Sequence, residues 1–337
     1  GPRSAPPAGG PWCGAGSRGS GRSAPAGRTA WSQPGRAGPK PAAKAAADSK
    51  SEQREVLSYW TPQKMEDAQP LTPPAPKANA KHGPGTPGEP TTGNPWGVPP
   101  TGTPQQQAQA SGGAPWTRGG AVAQTTGRVF FTYQGRNASC SGSAVTSANE
   151  SVVITAGHCV KMGGAFHTNW VFVPGYNAGQ RPHGTWPATR LLTTPQWNAR
   201  EDINFDMAAA VVAPLSGKTL TDVVGGQGVS FNQGRRVQMH AFGYPAAAPY
   251  DGSKLIYCAG RTFDDFLLSR DHGLTCNMTG GSSGGPWFQS FNESSGLGTL
   301  NSVNSFKYNF APNWMFGPYF GAEAQAVYTS AQSIDAL

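Results

Sequence analysis

Two short motifs in this chain have the residue types and order needed for acyl transfer. In Thr155-Ala156-Gly157-His158-Cys159 a histidine stands beside a cysteine just after the apolar run Ser151-Val152-Val153-Ile154. In Gly281-Ser282-Ser283-Gly284-Gly285-Pro286 a serine sits in a glycine-rich turn. A serine hydroxyl is a weak nucleophile at neutral pH, so it needs a neutral imidazole to take its proton and backbone N–H groups to hold the oxyanion that forms. Glycines on both sides let the chain turn tightly enough to aim those groups. A buried carboxylate should orient the base, and Asp206, at the head of the apolar stretch Met207-Ala208-Ala209-Ala210-Val211-Val212, is the candidate. An acid there is costly unless paired, and an imidazolium is such a partner. Each motif alone has a plain reading, a structural histidine or a flexible Gly/Ser linker. Their joint occurrence in the order His158, Asp206, Ser283 favours the catalytic one.

In these motifs the stretch from about residue 127 to the C-terminus resembles the secreted chymotrypsin-like (trypsin-like) serine peptidases. His240-Ala241-Phe242-Gly243-Tyr244-Pro245 and Val171-Phe172-Val173-Pro174-Gly175-Tyr176 are similar to the bacterial branch that includes the glutamyl, V8-like endopeptidases. The chain order separates this arrangement from the subtilisin and α/β-hydrolase orders. The resemblance implies that Ser283, followed directly by Gly-Gly-Pro, is the nucleophile rather than Ser282, and that the N–H groups of Gly281 and Ser283 form the oxyanion hole. It implies a specificity pocket walled by Asn277-Met278-Thr279-Gly280 and Ser305-Phe306-Lys307. The position that carries aspartate in trypsins falls on Asn277, so the charge that favours arginine or lysine in the substrate is missing. Lys307 adds a positive charge if it faces the pocket, favouring an acidic side chain, and leaves a neutral pocket if it faces solvent. Animal members carry aspartate just before the nucleophile, where this chain has Ser282, so activation through a freed N-terminal amine does not carry over.

These motifs need a scaffold, and the composition places it. Up to about residue 118 the 337-residue chain is dominated by Pro, Gly, Ala, Ser and Thr, which offers too little apolar surface to offset chain entropy. Residues 1–118 are therefore expected to be a disordered leader or propeptide, and 119–337 the peptidase domain. The formal charge of +8 follows the same division: residues 1–120 hold 13 Lys and Arg against 6 Asp and Glu, and residues 121–337 hold 13 against 12. The basic charge is scattered along the tail with no clustered face, which argues against nucleic-acid binding. Within the leader, residues 51–68 differ. Thr61-Pro62 reads as a helix N-cap and first turn, and Tyr59, Trp60 and Met65 are apolar anchors. This is either a propeptide element that docks on the protease or a disordered stretch with incidental aromatics.

From residue 127 onward short strands recur at roughly ten-residue spacing, punctuated by Gly, Pro and Asn. They include 128–133, 152–155, 170–173, 207–212, 237–242 and 300–305, with a helix possible only near 322–333. The fold class is all-β, and with the resemblance it becomes two packed six-stranded antiparallel β-barrels, about 125–215 and 225–337, carrying His158 and Asp206 on the first and Ser283 on the second. Four of the five cysteines fall in this part, which reads as disulfides made in an oxidising compartment. Cys140 is expected to pair with Cys159 and Cys258 with Cys276, each contributing about 3 kcal/mol in the chain-entropy model. Cys13 lies in the leader. Free thiols are the alternative, and no zinc-ligand spacing occurs.

No apolar window is long enough for a membrane span. The chain begins at Gly1 without an apolar signal core, so a secretion signal is inferred to have been removed. His167, His183 and His272 read as loop or structural histidines. Asn137, Asn149, Asn277 and Asn292 match a glycosylation sequon that is common by chance. The sequence thus predicts a secreted, monomeric serine endopeptidase acting on proteins or peptides, without metal or other cofactor, held by its own propeptide until a mature chain starts between Gly112 and Gly127. A silent family member acting as a binding module, or an esterase using the same triad, are the alternatives.

Overall fold

The computed structural model of the protein describes residues 40–76, 88–100 and 110–336; Cys13 lies outside them. Six antiparallel strands close the first barrel in the order Thr126–Tyr133, Arg136–Ala144, Val152–Thr155, Ala208–Val212, Trp186–Thr193 and Thr168–Pro174, with the last pairing back on the first. Val152–Thr155 and Ala208–Val212 are buried at every position. Their side chains face the barrel interior on one side and packed protein on the other, part of it the helix Ala322–Gln332. A strand covered on both faces needs a continuous apolar run rather than alternation, and that is what the sequence supplies.

The second half is built on a seven-stranded sheet in the order Trp96–Val98, Gly228–Phe231, Leu297–Val303, Pro286–Asn292, Gln238–Gly243, Ile256–Arg261 and Ser111–Pro115. A three-stranded sheet of Phe263–Asp264, His272–Thr275 and Trp314–Gly317 completes it. Each strand expected from the sequence is present within a few residues, and the C-terminal helix forms over Ala322–Gln332.

Over residues 40–76, 88–100 and 110–118 the N-terminal segment departs from expectation. Its described stretches are ordered and docked, not disordered. Ala42–Ala45 pairs with residues 190–193 of the Trp186–Thr193 strand, beyond the point where that strand leaves Thr168–Pro174. Trp96–Val98 and Ser111–Pro115 occupy the two ends of the second sheet, where an unpaired edge would otherwise be exposed. Between Ala42–Ala45 and Trp96–Val98, Ser49 caps the helix Lys50–Tyr59 with a reciprocal Glu52 bond, and Thr61 caps Pro62–Asp67. Trp60 is the anchor: it is 3% exposed, its indole N–H donates to the Asn169 carbonyl at 2.6 Å, and its ring lies 5.6 Å from Phe130. Mean composition hides this because strand pairing uses backbone groups, while the apolar contacts are concentrated in a few residues such as Trp60, Met65 and Trp116.

Candidate active site

Strand register brings base and acid together. Thr155 pairs with Ala208, so the segments that continue from these two adjacent strands, Ala156-Gly157-His158 and Asp206-Met207, leave the barrel side by side. Asp206 Oδ1 accepts the His158 backbone N–H at 2.8 Å, and Oδ2 accepts the Nδ1–H at 2.8 Å and the Ser305 hydroxyl at 2.6 Å. All three residues are buried. With Nδ1–H committed to the carboxylate, the lone pair of the neutral ring is on Nε2, and this atom is buried without a hydrogen-bond partner among the described residues.

The serine turn is pressed against the histidine segment. The Ser141 N–H donates to the Ser283 carbonyl at 2.7 Å, Thr155 Oγ1 donates to the Ser141 carbonyl at 2.8 Å, and the Gly284 N–H donates to Asn304 at 2.8 Å. A Cβ on Gly284 would overlap Thr155 Oγ1 and the Ser141 carbonyl, and φ is +81° there, so only glycine fits. Both serines line the cleft, but Ser282 Oγ is committed to the Thr279 carbonyl at 2.7 Å, whereas the Ser283 hydroxyl makes no hydrogen bond among the described residues. Among the described residues nothing accepts the N–H of Gly281 or Ser283, the two donors expected to hold an oxyanion.

The cleft, about 740 Å³, is lined by Ser283 with Thr279, Gly280, Ser305, Phe306 and Lys307. Asn277 and Met278 are not part of its lining. Asn277 is exposed and accepts the Tyr250 hydroxyl at 2.6 Å, and Met278 is packed in the core with Cys258, Cys276 and Trp287. Met315, distant in sequence, lines the cleft instead. Lys307 Nζ donates to the carbonyls of Cys276 and Pro312, and burial lowers its pKa to about 8.

His167, read from sequence as a loop or structural histidine, braces the base. Burial lowers its pKa to about 4, its Nε2 lies 2.8 Å from the His158 carbonyl, and its ring stacks on Phe131 at 4.3 Å. His272 is likewise buried, its pKa lowered to about 3, and His183 is half-buried. Nothing near either residue in sequence signals these positions. The expected disulfides Cys140–Cys159 and Cys258–Cys276 are formed. Cys140, His158 and Cys159 bring three potential metal-ligand atoms within 4.8 Å, but the sulfurs are bonded to each other, so no thiolate is available there.

Behind Asp206 lies Asp271, fully buried with neither carboxylate oxygen bonded among the described residues. Burial first, then the charges of Asp206 and Asp265, raise its pKa well above the usual carboxylate value. The folded state therefore holds this proton where the unfolded chain has released it, so Asp271 costs stability as pH rises above about 4. Asp271→Asn should raise the melting temperature at pH 7 and have little effect at pH 3.5. A variant no more stable at pH 7 would show that another group supplies the missing charge compensation.

The barrel, the bonded His–Asp pair and the serine turn define the class as a serine hydrolase of chymotrypsin-like fold. No protein-family model and no curated protein matches the chain. Among solved structures, the protease Anisep from Arthrobacter nicotinovorans is 45% identical over 63% of this chain and 96% of its own, with a TM-score of 0.60. The thermostable serine protease AL20 from an extremophilic microorganism is 44% identical over 63% and 99%, also at 0.60. A Glu endopeptidase shares the fold at 15% identity, 66% and 97% coverage and a TM-score of 0.52. The chain belongs to the bacterial chymotrypsin-like serine proteases.

Proposed function

We propose that the protein is a secreted serine endopeptidase that hydrolyses peptide bonds through an acyl-enzyme. Ser283 attacks the scissile carbonyl while His158 Nε2 takes its proton. The Gly281 and Ser283 N–H groups hold the oxyanion, and Asp206 stabilises the imidazolium, which then protonates the leaving amine. The observation that carries this reading is His158, held by two bonds to Asp206 with Nε2 left without a hydrogen-bond partner among the described residues. A fluorophosphonate probe and short peptide amides test it. Labelling at Ser283 with amide hydrolysis supports the reading. Labelling without amide hydrolysis in either the full-length or the N-terminally trimmed chain would make it an esterase.

The two disulfides fit an oxidising, extracellular setting. No helix among the described residues is long and apolar enough to cross a membrane. We read the N-terminal segment as the enzyme's own propeptide, in a monomeric zymogen. Trp116 is buried against Phe242, Tyr257 and Phe291, and Arg118 is ion-paired with buried Glu293. A cut beyond Arg118 would strip these contacts, so the mature chain should start near the Gly112 end of the Gly112 to Gly127 window.

No carboxylate lines the cleft, which supports discrimination against arginine and lysine on the acyl side of the scissile bond. Profiling kcat/KM over a peptide library should show this. Any preference for an acidic residue that depends on the Lys307 ammonium should weaken as pH rises through about 8, because deprotonation removes the charge. A clear preference for arginine or lysine would overturn the assignment.

A further inference from the structure

The cleft that holds Ser283 is not walled by the barrels alone. Residues Thr72 to Pro76 of the N-terminal segment line it as well. Two contacts fix how this strand lies. At its start, Gln69–Pro70 pairs in parallel with Ala138 and Ser139, the Leu71 N–H donates to the Ser139 carbonyl at 3.1 Å, and Thr72 packs on Gly280, 3.0 Å from where a Cβ would stand. At its end, Ala75 packs into the apolar cluster of Phe306, Tyr308, Ile203 and Leu268. The segment therefore crosses the cleft from the Ser139 and Gly280 end to the Phe306 end. His158 is fully buried and Ser283 is 3% exposed with it in place.

A substrate must run the other way. On the peptidase reading its acyl part, N-terminal to the scissile carbonyl, occupies the pocket that Ser305-Phe306-Lys307 walls, so its chain would enter at the Phe306 end and leave past Ser283 toward Ser139. We propose, resting on the peptidase reading of this site, that residues 69–76 are a built-in inhibitor lying across the substrate cleft in reverse polarity. They exclude a polypeptide from Ser283 without presenting a scissile carbonyl to it. Pro73, which is buried, and Pro74 and Pro76 reinforce this, since none has an N–H to donate as a substrate strand would. The inhibitor is held in cis by Trp60 and by the pairing of Ala42–Ala45 with the first barrel. Release of this anchor, rather than cutting within the cleft, opens the enzyme.

The full chain tests the proposal with probes of two sizes. The cleft of about 740 Å³ that the segment lines is expected to admit a small fluorophosphonate but not an extended polypeptide. Ala75→Arg, which wedges the segment off the Phe306 cluster, and Trp60→Ala, which removes its anchor, should each label at least as fast as the native chain. Both should cleave a denatured protein at least about tenfold faster, as expected when the open state changes from a minor to a major population. Independently of activity, a Thr72→Cys, Gly280→Cys double variant should form the 72–280 disulfide. Native chain that degrades protein as fast as both variants, failure of that cross-link to form, or self-cleavage inside 70–76 would each overturn the proposal. Absence of labelling in every form would instead refute the hydrolase reading, and the cross-link would then decide the position of the segment by itself.

Discussion

Ser283→Ala should abolish fluorophosphonate labelling and lower kcat by about 10⁵ to 10⁶, because removing the nucleophile disables the base and the carboxylate together. Ser282→Ala is the control. Ser282 also lines the cleft, but its hydroxyl is tied to the Thr279 carbonyl, so it contributes about 1 kcal/mol to the turn and nothing to bond cleavage. Labelling lost in Ser282→Ala and kept in Ser283→Ala would reverse the register. The two serines differ chemically only through their surroundings. The turn, with Gly281 and Gly284 at φ of +95° and +81°, ties the Ser282 hydroxyl to Thr279 and leaves the Ser283 hydroxyl without a hydrogen bond among the described residues.

The site was legible in the sequence where its chemistry is local. A nucleophile that needs a glycine turn and a histidine at the end of a buried strand leave short motifs. The acid could be singled out because Asp206 opens an otherwise apolar strand. What sequence could not supply was contact made through register. Thr155 opposite Ala208 is what places His158 beside Asp206, and Ser305, read as a pocket wall, is the residue that binds the second oxygen of the acid. Asn277 failed as a pocket residue for a related reason. It immediately follows Cys276, and the chain that the disulfide holds there turns its side chain outward to Tyr250. The described stretches of the N-terminal segment are ordered against expectation because backbone pairing at a sheet edge leaves almost no trace in composition. A strand as poor in side-chain information as Ser-Gly-Gly-Ala-Pro still finds a place against Ile256–Arg261. The second half was legible as short strands, but not in its sheet order, where Gly228–Phe231 runs parallel to Leu297–Val303.

Asp206→Asn should be the second most damaging change, lowering kcat by about 10⁴ while leaving KM nearly unchanged. The carboxylate accepts three hydrogen bonds, from the His158 backbone, the His158 ring and Ser305. An amide of the same shape can accept through only one of its two heavy atoms, so its NH₂ must face a donor. The cheapest relief is for the imidazole to move its proton to Nε2 and accept at Nδ1. That restores the bond to the ring, leaves the Ser305 hydroxyl without its acceptor, and removes the lone pair that Ser283 needs. Stability should fall by about 1 to 3 kcal/mol, a typical cost for a buried polar group that loses its partner, so the variant still folds. Melting temperature and residual slow labelling at Ser283 separate lost catalysis from lost structure. A folded Asp206→Asn protein with kcat within about tenfold of the native enzyme would show that His158 keeps its tautomer without the carboxylate, and the orienting role assigned to Asp206 would fall.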